Sequence, residues 1–372
     1  MSPIHRIPFA TLLAVAAVAG CIIHDSGGNA GSSSVGANQL PASPLKPLRQ
    51  AGAAAHKRIG TALMSARLSN EKVRALVARE FDSLTPENEM KWESIEPQPG
   101  HFNFDGGDRL VAFAAENGMR MRGHTLVWHS QLAFWVKGLK ADPLRAAMTR
   151  HIQTVVGHWK GKIAQWDVVN EAIADGPSGE LRPDSTFAVL GPTFIDEAFR
   201  LAHAADPHAQ LFYNDYEIEG DNPKSDAAYA LCKRLKAAGV PIDGIGLQMH
   251  VDPRSWPTAE QIRRNVERFA ALGLLVEFTE VDVPVGSLPG DVDAKLKRQR
   301  ELTRYIVGAC VAVEKCSGIT FWGLTDNDSW LNDAHWGAQR GRGPHYPLLF
   351  NGDMQPKPIV SGVLEALEHP PQ

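Results

Sequence analysis

The sequence is short of cysteine and of positive charge. Four cysteines, Cys21, Cys232, Cys310 and Cys316, occur in 372 residues. That is too few for a fold built on a disulfide framework. Lys and Arg number 38 against 42 Asp and Glu, a net charge of -4. A nucleic-acid-binding surface needs a basic excess, so no nucleic-acid partner is expected. The apolar run over residues 7–20 is too short to span a bilayer as a mature helix. Thr61-Ala62-Leu63-Met64-Ser65-Ala66, after the first strand-like run, is not a glycine-rich phosphate loop, which argues against a doubly wound nucleotide-binding sheet. Residues 59–65 contain no His, so the His pair common on the first strand of metal-dependent barrel hydrolases is missing. No metal and no cofactor are expected.

What is present begins with an export signal. His5 and Arg6 precede the apolar run, and small residues end it, as in a secretory signal over residues 1–20. Val18-Ala19-Gly20-Cys21 resembles the bacterial lipobox, in which the Cys is lipidated and becomes the N-terminus. The alternative is an ordinary signal peptide with Cys21 incidental. Ile22 is not Asp, so the rule for inner-membrane retention is not met. The expected location is the outer membrane or cell surface through a lipid on Cys21, or the periplasm or medium without it. Residues 21–52 are rich in Gly and Ser and then Pro, and read as a flexible tether. A single catalytic domain is expected over residues 53–368, as a monomer.

Within that domain strand-like runs alternate with helical ones. Strands are expected at residues 58–63, 83–85, 120–127, 163–171, 209–214, 245–250, 274–282 and 318–326. Helices are expected over residues 70–81, 144–159, 194–204, 227–238 and 259–271, where apolar residues recur at helical spacing. Gly118, Gly239 and Gly273 stand where helix C-caps belong. Eight β-α units over some 320 residues make a (β/α)8 barrel, an α/β fold with one core.

Polar residues gather at the ends of these strands. Trp166-Asp167-Val168-Val169-Asn170-Glu171 is an apolar strand that stops at a carboxamide and a carboxylate. The other ends carry Glu87, Asn88, Lys91 and Trp92; His124, Trp128 and His129; Asn214 and Tyr216; Gln248 and His250; Glu280 and Asp282; Trp322 and Trp330. In a barrel all eight ends meet in one bowl. His124 alone reads equally well as a satisfied core histidine, Trp322 as core packing and Lys91 as a surface charge. Core packing does not require such residues to share one end of successive strands. Paired Glu with no other nucleophile suggests glycoside hydrolysis, which needs one acid and one carboxylate on opposite faces of a sugar. Trp faces suit the apolar side of sugar rings, and Asn, Gln, His and Lys suit their hydroxyls.

Several segments together resemble glycoside hydrolase family 10, the endo-β-1,4-xylanases. They are Trp166 to Glu171, Gly123-His124-Thr125-Leu126-Val127-Trp128-His129, Glu87-Asn88-Glu89-Met90-Lys91-Trp92, Tyr213-Asn214-Asp215-Tyr216, Gly246-Leu247-Gln248-Met249-His250 and Thr279-Glu280-Val281-Asp282. They occur in the family's order across nearly the whole domain. The resemblance implies that Glu171 is the acid/base and Glu280 the nucleophile of a retaining reaction on xylan and xylo-oligosaccharides. It implies that Asn170 bonds the sugar 2-hydroxyl, and that His250, held by Asp282, contacts the nucleophile. Glu87, Asn88, Lys91, His124 and Trp128 resemble contacts to the non-reducing-side sugars, with Trp322 and Trp330 as an aromatic floor. Asn214, Tyr216 and Gln248 fall in matching segments and are expected to bind substrate. If the sixth strand is regular, Gln248 and His250 share its inward face. Cys310 and Cys316 resemble a family disulfide, which requires the helix before residue 317 to end between them.

Three other readings differ from this one in what they require. A metal-dependent hydrolase would lose activity to a strong chelator. A non-catalytic sugar-binding lipoprotein would keep the Trp residues and could dispense with the acid pair. A β-1,4-glucanase would share the mechanism and differ in room near Trp322 and Trp330. The basic pair Arg340 and Arg342, between glycines, reads as a solvated loop or as a cover over part of the cleft.

Overall fold

In the computed structural model, residues 45–332 and 344–369 are described. The expected signal sequence, Cys21, the expected tether up to residue 44 and the Arg340–Arg342 pair lie outside them. Eight parallel strands form a closed barrel: β1 Arg58–Leu63, β2 Ser83–Pro86, β3 Arg120–Gly123 resumed at Val127–Trp128, β4 Gln165–Asn170, β5 Gln210–Asp215, β6 Gly244–Leu247, β7 Leu275–Val281 and β8 Cys316–Phe321. Each strand pairs with its sequence neighbour, and β8 closes on β1 with Arg58 opposite Gly318. A strand covered on both faces can be apolar throughout, and β4 is buried along its whole length.

The helices form where periodicity and caps agree. Asn70 accepts hydrogen bonds from the backbone N–H of Lys72 and Val73 at the start of helix Glu71–Glu80. Thr258 and Gln261 form a reciprocal capping box on helix Ala259–Ala270. Gly239 and Gly273 follow their helices at φ 62° and 81°, where a Cβ would be strained. Among the described residues no helix is long and apolar enough to cross a membrane.

Four expectations need correction. The folded unit begins earlier than residue 53, because Leu48–Ala54 is a helix that buries Leu48 and Ala51 and whose Leu48 N–H donates to Glu80 at 3.0 Å. The third strand is broken at residues 124–126. There the Thr125 hydroxyl and the Leu126 N–H both bond the Asp167 carbonyl, at 2.9 and 3.0 Å, and β4 shifts register between Asp167 and Val169. The sixth strand stops at Leu247, and Met249 has φ 64°, so Gln248 and His250 are not on a regular strand. The eighth runs over Cys316–Phe321 instead of reaching residue 326, because the chain bends at Trp322.

The barrel interior holds buried charges. Arg122 on β3 reaches across to Asp167 on β4 and to Glu277 on β7, its Nη1 donating to Glu277 at 2.9 Å. Gln165 and Ser317 each donate to the other Glu277 oxygen at 2.7 Å. These groups lie under the site, and every charge has a partner, as burial requires. A disulfide joins Cys310, in the last turn of helix Val292–Val311, to Cys316, the first residue of β8, so the helix ends between the two cysteines. Cys232 is buried and free.

Candidate active site

The loops after the strands line one cleft of about 900 Å³. Glu171 follows the last residue of β4 and has φ 54°, a left-handed conformation uncommon for a side-chain-bearing residue. Its N–H is held by the Asn214 carbonyl at 2.8 Å. Its carboxylate accepts from Trp128 Nε1 at 2.8 Å, Gln248 Nε2 at 2.9 Å and Asn170 Nδ2 at 3.1 Å. His129 Nδ1 stands 3.9 Å away. Burial, with the Arg182 charge, lowers the His129 pKa to about 4, so that ring is neutral at pH 7.

Glu280 lies near the end of β7. Asn214 Nδ2 donates to its Oε1 at 2.8 Å, and His250 Nε2 lies 3.2 Å from its Oε2. His250 Nδ1 lies 2.8 Å from Asp282, which also accepts from Trp330 Nε1 at 2.7 Å. Burial opposes a charge on His250, but Asp282 and then Glu280 outweigh it and push its pKa up to about 10. Burial likewise opposes ionisation of Glu280. The His250 hydrogen bond, the His124 and His250 charges and Asn214 reverse that and lower its pKa. Asn214 Nδ2 also donates to Asn170 Oδ1 at 2.8 Å, and Thr279 donates to Asn214 Oδ1 at 2.6 Å. The two carboxylates are therefore linked through just two amides, with a Thr fixing the orientation of the second.

Glu87, Asn88, Lys91, His124, Trp128, Tyr216, Gln248, His250, Trp322 and Trp330 line the cleft beside Asn170, Glu171 and Glu280. Lys91 Nζ donates to Asn88 at 2.9 Å and to Gln131 at 2.7 Å, and sits 5.1 Å over the Trp128 ring. Burial lowers its pKa against the pull of Glu280, Glu87 and Glu171. Burial raises Glu87 to about 7, opposed by Lys91. His124 bonds Asp167 at 3.0 Å and meets the Trp322 ring edge-on at 5.1 Å. Two of the expected residues lie beneath the cleft. Asp282 supports His250. Asn214, expected to bind substrate, is fully buried with its amide spent on Asn170, Glu280 and Thr279, so it positions other groups and does not touch sugar.

Residues not singled out from sequence complete the site. Gln131 joins Lys91, Asn88 and Glu93, donating to Glu93 at 3.0 Å. Its place three residues after Trp128 was a readable signal. Asp175 and Arg182 flank Tyr216, and Arg182 lies in a loop eleven residues beyond Glu171 in the chain, where sequence offers no pointer. Among the described residues no group of three or more His, Cys, Asp or Glu is placed to hold a metal. Chemically the cleft offers one ionised, fully oriented carboxylate and a second carboxyl group across from it. It adds a cation, amides and flat aromatic faces suited to a polyhydroxylated ring.

Comparison with known proteins matches this geometry. Residues 47–366 match the family model for glycosyl hydrolase family 10. The chain is 42% identical over 290 residues to a β-1,4-xylanase of Dictyoglomus thermophilum, covering 76% of this chain and 81% of that one. It is 42% identical over 302 residues to endo-1,4-β-xylanase B of Thermotoga neapolitana, covering 80% and 84%. The crystal structure of xylanase 10B from Thermotoga petrophila RKU-1 in complex with xylobiose superposes with a TM-score of 0.80 at 42% identity, over 87% of this chain and 97% of that one. A family-model match over the whole barrel makes this chain a member of glycosyl hydrolase family 10.

Proposed function

We propose that the protein is an endo-acting β-1,4-xylanase that works with retention, through a covalent glycosyl-enzyme on Glu280. In the first step a Glu280 oxygen attacks the anomeric carbon. The bond to the leaving sugar breaks, and Glu171 gives that sugar's oxygen a proton. In the second step water attacks the same carbon, Glu171 takes a proton from it, and the ester to Glu280 is released. The observation that carries this reading is the state of Glu280. Both its oxygens are held by donors, and its pKa is lowered despite burial. A fixed, ionised carboxylate is what direct attack requires.

Asn170 stands between the two carboxylates, where a sugar 2-hydroxyl would lie. Lys91, Asn88 and Glu87 supply the polar contacts to the non-reducing-side sugars, with Trp322 and Trp330 beneath. The xylobiose complex of the Thermotoga petrophila relative supports xylan-derived chains as the ligand class. We place the protein outside the cytoplasm, tethered through a lipid on Cys21.

Azide separates the roles. With an activated aryl xyloside, Glu171→Ala should still form the glycosyl-enzyme, and azide should give a β-glycosyl azide. Glu280→Gly should give the α-glycosyl azide by direct attack. Swapped products would reverse the two roles, and an α-configured sugar from the wild type would refute retention. Reducing-end release from xylan against cellulose checks the substrate.

A further inference from the structure

The backbone that carries Glu171 is braced by a residue eleven positions away. Arg182 Nε donates to the Glu171 carbonyl at 2.9 Å. The Arg182 N–H donates to the Ala172 carbonyl at 2.8 Å, inside a short antiparallel bridge between Ile173 and Leu181. From the other side the Ala172 N–H donates to the Tyr213 hydroxyl at 3.1 Å. The guanidinium is itself clamped. It makes a two-pronged contact with Asp175, at 3.0 and 2.8 Å, and donates to the Tyr216 hydroxyl at 2.5 Å. Arg182 is buried, whereas Asp175 and Tyr216 face the cleft. Asp175 is held below the usual carboxylate range. Burial opposes this, but Arg182, Tyr216 and Lys224 prevail.

A Glu at φ 54° is not self-supporting, since its Cβ is crowded there and other conformations are open to it. Something must select this one, and the groups that bond the peptide after Glu171 are Arg182 and Tyr213. Asp175 and Tyr216 follow β4 and β5, on the half of the bowl opposite the loops after β2 and β8 that carry Lys91, Trp322 and Trp330. If those loops hold the non-reducing side, the leaving sugar lies by Asp175 and Tyr216.

We propose that Arg182 is a positioning residue. Its fork, locked by Asp175 and Tyr216, fixes the peptide of Glu171 so that the carboxyl group stays aimed at the leaving oxygen. This rests on the reading of Glu171 as the general acid. A Met at 182 fills similar volume but cannot bond the carbonyl, so the carboxyl group would sample other directions. The cost falls on substrates whose leaving group needs a proton, and spares those whose leaving group departs as a stable anion.

The experiment compares kcat/KM, which reports glycosylation, for two aryl xylobiosides. One carries 2,4-dinitrophenol and the other a poor leaving group such as 4-methylphenol. Arg182→Met should lose about 10- to 100-fold on the poor leaving group, part of what a general acid contributes, and under about 3-fold on the dinitrophenyl substrate. Asp175→Asn, at an exposed carboxylate, should show the same pattern more weakly and serves if Arg182→Met does not fold. Equal losses on both substrates, or no loss on either, would overturn the positioning role. Glu171→Ala is measured alongside. If it fails to discriminate between the substrates, the acid assignment falls. If it discriminates and the Arg182 and Asp175 variants do not, only the present inference falls.

Discussion

Replacing Arg122 by Met should be one of the most damaging single changes in the barrel, although Arg122 touches no substrate. Its guanidinium is fully buried and bonds Asp167 twice and Glu277 once. Met keeps most of the volume and leaves two carboxylates in the barrel interior without their cation. Removing one partner of a buried ion pair costs about 3–5 kcal/mol. Against a total stability of roughly 5–15 kcal/mol this is about a fifth or more. The pH dependence fixes the cause. Asp167 has a lowered pKa, because Arg122 and then His124 outweigh burial. A group lowered on folding stabilises above its unfolded pKa of about 3.9, and that contribution fades as pH falls through the folded value. In the variant burial dominates at Asp167, so that carboxylate destabilises when ionised and recovers when protonated. The gap between wild type and variant should be widest at pH 7 and narrow toward pH 4. Urea unfolding followed by Trp fluorescence at pH 7 and pH 4.5 measures it. A gap below about 1 kcal/mol at pH 7, the range of an exposed pair, would refute the reasoning. So would a gap that is unchanged at pH 4.5.

His250→Gln should move the acid limb of kcat/KM to higher pH, since Glu280 loses the partner that most lowers its pKa; a limb that stays put would remove His250 from that role. His250 has a raised pKa of about 10, so its stabilisation is full below about 6.5 and lost as pH rises through that folded value. The stability lead of wild type over His250→Gln should shrink across that window in the same urea assay. Trp322→Ala should cost about 3–5 kcal/mol of stability as well as weakening xylo-oligomer turnover, because the ring is only 6% exposed; unchanged unfolding would show it to be a binding platform alone. Mass spectrometry of the mature N-terminus should find a lipidated Cys21, and an unmodified terminus downstream of it would refute the anchor.

Most of the barrel was readable because its signals are local. Alternating apolar runs, the C-cap glycines Gly239 and Gly273 and the polar residues that end each strand require only neighbouring residues. Glu171, Glu280, Gln248 and His250 fell to that reading. The misses depend on partners distant in sequence. The break after Gly123 arises because Asp167, some forty residues on, takes the hydrogen bonds that a regular strand would keep. The burial of Asn214 follows from neighbours on β4 and β7. Arg182 and Asp175 sit in a loop whose composition carries no periodicity, and only the fold brings them to Glu171. The start of the domain was placed late because Leu48 and Ala51 are buried by residues that a tether-like composition does not reveal.

The seam between the first and last strands has a consequence for a growing chain. Lys57 Nζ, just before β1, donates to the Val313 and Cys316 carbonyls at 2.8 and 2.7 Å, the latter 259 residues later. At roughly 5–20 residues per second of synthesis, the edge of β1 waits about 13–50 s for its partner. Through that interval it presents an open row of amides beside β2, the kind of template onto which another strand can add. Ribosome pausing or a truncation after β7 would prolong that state, so fragments ending before residue 316 should be far more prone to aggregate than fragments that include β8.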